Sequence, residues 1–249
     1  MVYSPRLLRR RAWSALCFIV GTVVCIATPG VCGKKPQPLV ERWTAGSPCC
    51  TFARSNDGKY RYRVATPDYE VTLAVDSQEL TLMRRRVEPF FSVLIDVHYH
   101  GATALPVNPS AASLEFVKHH KVVQTALDPD SFALRTQDDA DQLEFETERE
   151  IKKHPDKKDE REHYVQAYQK EVATFLEFLS RSCLPAVQLD SANQQVSGWL
   201  LFSTRSKWLG SWKTPEQFLL RLPMGDRVLE FPFSLPPEQG DLILRKRAD

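Results

Sequence analysis

Apolar and polar positions alternate along two stretches of the first half of the chain. Val71, Leu73 and Val75 interleave with Glu70, Thr72 and Ala74, and Phe91, Val93, Ile95, Val97 and Tyr99 interleave with Ser92, Leu94, Asp96, His98 and His100. A two-residue period sends successive side chains to opposite faces, so each stretch predicts a strand with one buried face. The chain turns over Gly101 to Pro109, and shorter β-rich runs follow at Ser113 to Val117 and Lys121 to Ala126, punctuated by Asp128-Pro129-Asp130. The period then changes. Between Asp138 and His163 stand 11 acidic and 6 basic residues with few large apolar ones, a solvated helical pattern interrupted at Pro155. Val165, Tyr168, Val172, Phe175, Leu176 and Leu179 recur at steps of three and four, the apolar face of a helix that stops before Pro185. Strand patterning returns over Val196 to Phe202, Gln217 to Leu222 and Arg227 to Phe233. Met224-Gly225-Asp226 supplies the turn of a closing hairpin.

Strands on both sides of a helical block predict a mainly β fold: an antiparallel β-sandwich carrying an α-helical insertion. Residues 59–137 form its first β half, 138–184 the charged helical insertion and 185–249 the second β half. Residues 34–58, with Pro, Ser and Gly around Trp43, read as an N-terminal tether. The apolar helix face needs a partner to pack on, either the body of this chain or another protein.

Three runs carry a resemblance. SVLIDVHYHGATALPVNPSAASLEF (Ser92 to Phe116), VSGWLLFST (Val196 to Thr204) and FLLRLPMGDRVLEFPFSL (Phe218 to Leu235) place an aliphatic strand before an asparagine-containing turn, and a Gly-aromatic strand before a closing hairpin. This resembles the immunoglobulin-like domains of bacterial envelope proteins and lipoproteins of unknown function. The resemblance implies an immunoglobulin-like sandwich with a binding or architectural role. It brings no catalytic residues.

The first 33 residues set the compartment. Arg6, Arg9, Arg10 and Arg11 precede an apolar run from Ala12 to Ala27 and a small-residue exit from Thr28 to Gly33, the order of an export signal. The run is about 16 residues long, against roughly 20 for a membrane-spanning helix. Cleavage before Lys34 is therefore expected, with an uncleaved anchor over residues 12–32 as the alternative and the only membrane contact foreseen. Either places the rest of the chain outside the cytoplasm. The formal net charge of +2 includes those four arginines and no leader acid, so the remainder is slightly acidic and gives no ground for nucleic-acid binding.

No HExxH, GxSxG or glycine-rich phosphate loop occurs, and the expected function is non-enzymatic: a binding or structural module for an envelope protein, with no cofactor. An alternative is a metal or small-ligand carrier. His98 and His100, two apart on one strand face beside Asp96, point the same way, which is how one metal collects two ligands. Trp208 and Trp212, flanked by Lys207 and Lys213, read as an exposed loop and candidate contact surface. Of six cysteines, Cys17, Cys25 and Cys32 lie in the leader. An oxidising compartment favours one bridge from Cys49 or Cys50 to Cys183. A Cys49–Cys50 bridge is disfavoured, because adjacent cysteines close a strained ring.

Overall fold

The computed structural model describes residues 38–76, 89–118, 122–205 and 216–235. Residues 1–37, and Lys207, Trp208, Trp212 and Lys213 of the expected contact surface, lie outside the described residues. Along the chain come β1 (Leu39–Arg42), β2 (Cys50–Arg54), β3 (Lys59–Ala65), β4 (Tyr69–Asp76), β5 (Phe90–Tyr99), β6 (Leu105–Val107), β7 (Ser113–Phe116) and β8 (Val122–Thr125). Helices α1 (Pro129–Lys153) and α2 (Lys158–Ser182) follow, then β9 (Val187–Leu189), β10 (Gln195–Ser203), β11 (Glu216–Met224) and β12 (Arg227–Leu235).

The chain is mainly β and builds two sheets. One runs β10-β5-β4-β3-β2, antiparallel throughout. In the other, β12 lies between β1 and β11, and the far side of β11 takes β7 and β6, which carry β8 and β9. Among the described strand pairs only β1–β12 is parallel, and the isolated bridge between Cys183 and Trp199 is parallel as well. The sheets share one core, with Tyr62, Leu73, Val93 and Ile95 from the first and Leu114, Phe218, Leu220 and Phe231 from the second. Phe91 stacks on Phe218 across the interface at 5.1 Å, and Phe218 on Phe233 at 4.9 Å. The hairpin expected at Met224-Gly225-Asp226 forms, with Met224 opposite Arg227 and Gly225 at φ +62°.

In β5 the alternation holds on the inner face: Phe91, Val93, Ile95, Val97 and Tyr99 are all buried. The outer face is not uniformly solvated, since Ser92 is buried too. The reason is that the helices cover this end of the sheet. Phe90 of β5 and Leu201 of β10 form a second apolar cluster with Phe132 of α1 and Leu179 of α2. Trp199, half-buried on the same face, packs 6.2 Å from Phe178.

The helices start earlier than the charge pattern suggests, at Pro129 instead of Asp138. Asp128-Pro129-Asp130, read from sequence as a turn, is a helix start: the Asp128 carboxylate accepts Ser131 N–H at 3.0 Å and Pro129 occupies the first turn. Pro155 begins the short 3-10 turn that separates α1 from α2. The two then pack through Ala140 and Leu143 against Val165, Tyr168 and Val172. Both feet of this helical pair stand on β10. Leu127 N–H donates to Leu201 O (2.7 Å) and Leu184 N–H to Trp199 O (2.9 Å), which occupies an otherwise open sheet edge.

Two expectations need correction. The stretch read as a tether carries β1, paired with β12 from Leu39 opposite Arg227, and β2, paired with β3 from Cys50 opposite Val64. Leu39 and Val40 are both exposed, so β1 is held by backbone pairing and by the polar contacts of Glu41, not by an apolar face that a pattern would reveal. The expected bridge to Cys183 does not form; Cys49, Cys50 and Cys183 are free thiols. Cys50 begins β2 at one edge of the five-stranded sheet, whereas Cys183 bridges to Trp199 of β10 at the other. Four strand spacings put those edges about 19 Å apart, and a disulfide needs Cα atoms within about 7 Å.

Candidate functional site

Strand β1 accompanies β12 for four residues only, ending at Arg42 opposite Glu230. The chain then leaves, with Trp43 N–H donating to Glu230 O at 2.8 Å. Beyond that point, no described strand pairs with this side of Phe231 to Leu235. Backbone polarity along the freed edge follows from the two-residue period. The Glu230 carbonyl faces β1, so Pro232 and Ser234 share its direction, and the edge presents Pro232 C=O with Ser234 N–H and C=O. Pro232 has no N–H to offer, the usual place for a proline in a sheet.

Beside this edge lies a groove of about 580 Å³, lined among others by Trp43, Ala45, Phe52, Tyr62, Phe218 and Phe233. Its volume is that of a typical small-ligand cleft. The aromatic wall is fixed from several elements. Trp43 meets Tyr62 of β3 edge-on at 5.1 Å and donates Nε1–H to Thr51 O at 3.1 Å. Phe52 of β2 tilts onto Tyr62 at 5.0 Å, and Tyr62 reaches Phe233 of β12 at 5.9 Å. The rim is charged but internally engaged. Arg221 donates to Glu230 (3.1 Å) and to Glu115 (2.9 Å), and Arg42 stands 3.6 Å from Glu230.

The residues expected from sequence fall elsewhere. On the outer face of the five-stranded sheet, His98 Nε2 is 3.2 Å from Asp96 Oδ2, and Gln195 Nε2 donates to Asp96 Oδ1 at 3.3 Å. His100 lies past the end of β5, its backbone N–H donating to Asp68 O. Glu70, opposite His98 on β4, is taken by Arg63, whose hydrogen bond holds the Glu70 carboxyl below the usual range. The structure thus joins Asp96 to His98. Among the described residues, no group of three or more His, Cys, Asp and Glu gathers as a metal set, where zinc asks for three or four protein ligands. The apolar face of α2 is spent within the chain, on α1 and on the sheet. No helix among the described residues is long and apolar enough to cross a membrane.

Sequence reasoning missed the groove because its wall is assembled from β2, β3, β11, β12 and the turn after β1. The signal within reach was Trp43 and Phe52 in a stretch otherwise rich in Pro, Ser and Gly, where a bare tether has no use for large aromatics. Compared with protein-family models, curated proteins and solved structures, the chain matches none.

Proposed function

We propose that this protein is an exported, immunoglobulin-like binding module, with the helical pair as an insertion in its sandwich, that holds an extended apolar segment of an envelope protein in the groove beside β12. One observation carries the reading. Where β1 departs after Arg42, strand backbone that no described strand pairs and an aromatic-lined groove lie side by side. That is what strand addition uses: main-chain hydrogen bonds supply affinity, and pockets for alternate side chains supply selectivity. Pro232 removes one donor from the open edge, which discourages unlimited edge-to-edge pairing. Engagement of Arg221 with Glu115 and Glu230 favours holding a ligand over reacting with one. The export signal, the slightly acidic remainder and the lack of catalytic motifs fit the same picture.

The test is in-cell cross-linking in the native host, with a photoreactive residue at Ala45 or Ser234 of the full chain. The expected product joins the groove to an extended apolar peptide of one envelope protein, and Trp43→Ala lowers its yield at least about tenfold, as loss of an interface anchor does. Recovery of self-adducts only, or of no adduct, overturns the reading.

A further inference from the structure

The turn from β1 to β2 ends in two adjacent cysteines that the groove reading leaves unused. Cys49 Sγ and Cys50 Sγ stand 3.2 Å apart. Ser47 Oγ lies 3.1 Å from Cys49 Sγ, and Thr44 N–H donates to Cys50 Sγ at 3.4 Å. The two thiols differ in access, Cys49 being exposed and Cys50 buried. The backbone that carries them is pinned, since Cys49 C=O accepts Ala65 N–H at 2.8 Å and Cys50 pairs with Val64. Cys183 sits at the opposite edge of the sheet. Among the described residues, each thiol of the pair therefore has its neighbour as its resolving partner.

We propose that Cys49 and Cys50 form a dithiol site that exchanges two electrons with a disulfide-bearing oxidant, Cys49 attacking first and Cys50 resolving. The Cys49 thiolate attacks one sulfur of the incoming disulfide, forms a mixed disulfide and expels the other half as a thiolate. Cys50 then gives its proton to solvent and attacks Cys49 Sγ. The second half of the oxidant leaves as a thiolate and a Cys49–Cys50 bond remains, so two thiols are oxidised and one disulfide is reduced. Exposure sets this order, and electrostatics agree with it. Hydrogen bonding from Ser47 and Cys50 holds the Cys49 thiol below its usual range, while burial pushes Cys50 up.

Closure shortens a 3.2 Å gap to a bond of about 2.05 Å. Neighbouring Cα atoms are about 3.8 Å apart, less than an unstrained disulfide spans, so the ring holds strain and reopens readily. Strain counts against the pair as a permanent brace, and it is what makes the pair reversible. Closing the ring also takes Cys49 Sγ from Ser47 and Cys50 Sγ from Thr44 N–H. Both contacts shape the turn that bears Ala45, one wall of the groove.

Trypsin isolates residues 43–54, which hold both cysteines and no other, so the full chain serves for the test. It is treated with oxidised glutathione at neutral pH, quenched with acid, alkylated, digested and weighed. The expected peptide is about 2 Da lighter than the dithiol form and carries no alkyl group, and dithiothreitol restores two alkylation sites. Cys50→Ser retains glutathione on Cys49. Cys49→Ser takes glutathione on Cys50 at least about tenfold more slowly, as a buried thiol of raised pKa must. A doubly alkylated peptide after oxidation, two bound glutathiones, equal rates in the two serine variants, or closure as fast in urea as in the native chain each overturns the proposal.

Discussion

The backbone of Leu184 crosses directly over Gly198: a Cβ on Gly198 would lie 2.5 Å from both Cα and N of Leu184. This is how the second foot of the helical pair reaches β10 closely enough for Leu184 N–H to bond Trp199 O. Backbone cannot yield as a flexible side chain does. Gly198→Ala is expected to cost about 1–3 kcal/mol by overpacking. Urea unfolding gives the loss, and faster hydrogen exchange at the Leu184 amide locates it.

Phe132 anchors the other foot. It is 1% exposed and meets Phe90 edge-on at 5.7 Å and Phe175 at 5.6 Å. Phe132→Ala should cost about 3–5 kcal/mol, the range for truncating a buried aromatic. Hydrogen exchange should rise first in α1 and α2, while Ile95 and Leu220 in the shared core keep their protection.

Tyr69 ties β4 to β1 by donating its hydroxyl to Glu41, which Arg227 also holds at 2.8 Å. Tyr69→Phe should cost about 1.5–3 kcal/mol, as for a hydrogen bond to a charged group. Burial, and then the Glu41 carboxylate, raise the Tyr69 pKa. A raised folded-state pKa gives stability that is complete below the unfolded tyrosine value of about 10 and is lost as pH climbs above it. Wild type should therefore lose stability above about pH 10 more steeply than Tyr69→Phe, measured by urea midpoints across that range.

Glu70 works in the opposite sense. Its pKa is lowered by Arg63, so its contribution is complete above the ordinary carboxylate range and is lost as pH falls through the lowered value. Because the pair is partly solvated, Glu70→Gln should cost less than about 1 kcal/mol at neutral pH. The same substitution should flatten the acid limb of the stability curve below about pH 4, which acid titration of the thermal midpoint will show.

Cys183 is a half-buried free thiol, not half of a bridge. Burial pushes its pKa up to about 11. Iodoacetamide should label it in the native chain far more slowly than in urea, with a rate that keeps rising toward that pH. Peptide maps of its tryptic fragment should be identical with and without reductant.

What could be read from the sequence was what repeats locally. The inner face of β5 and the Met224-Gly225-Asp226 hairpin follow from periods and turn chemistry that need no knowledge of neighbours. Ser92 defeats the same rule because α1 and α2, some forty and more residues downstream, cover its end of the sheet. The start of α1 was hidden by ambiguity, since Asp-Pro-Asp serves a turn and a helix cap equally well. Strand order caused the cysteine error. Only topology places Cys50 and Cys183 at opposite edges of one sheet. The groove combines Trp43, Tyr62 and Phe233, whose spacing along the chain carries no period at all.

The two feet of the helical pair have a consequence for how the chain can lengthen. Leu127 and Leu184 bond to carbonyls only two residues apart on β10, so the path between them leaves and returns at nearly one point. To the sheets, that whole excursion amounts to a single crossing of one strand edge. Seven residues added to each helix in register would extend the arm by about 10 Å and ask nothing of either sheet. Reach is thereby uncoupled from the scaffold, and the arm is free to diverge in length and surface charge while the groove stays as it is.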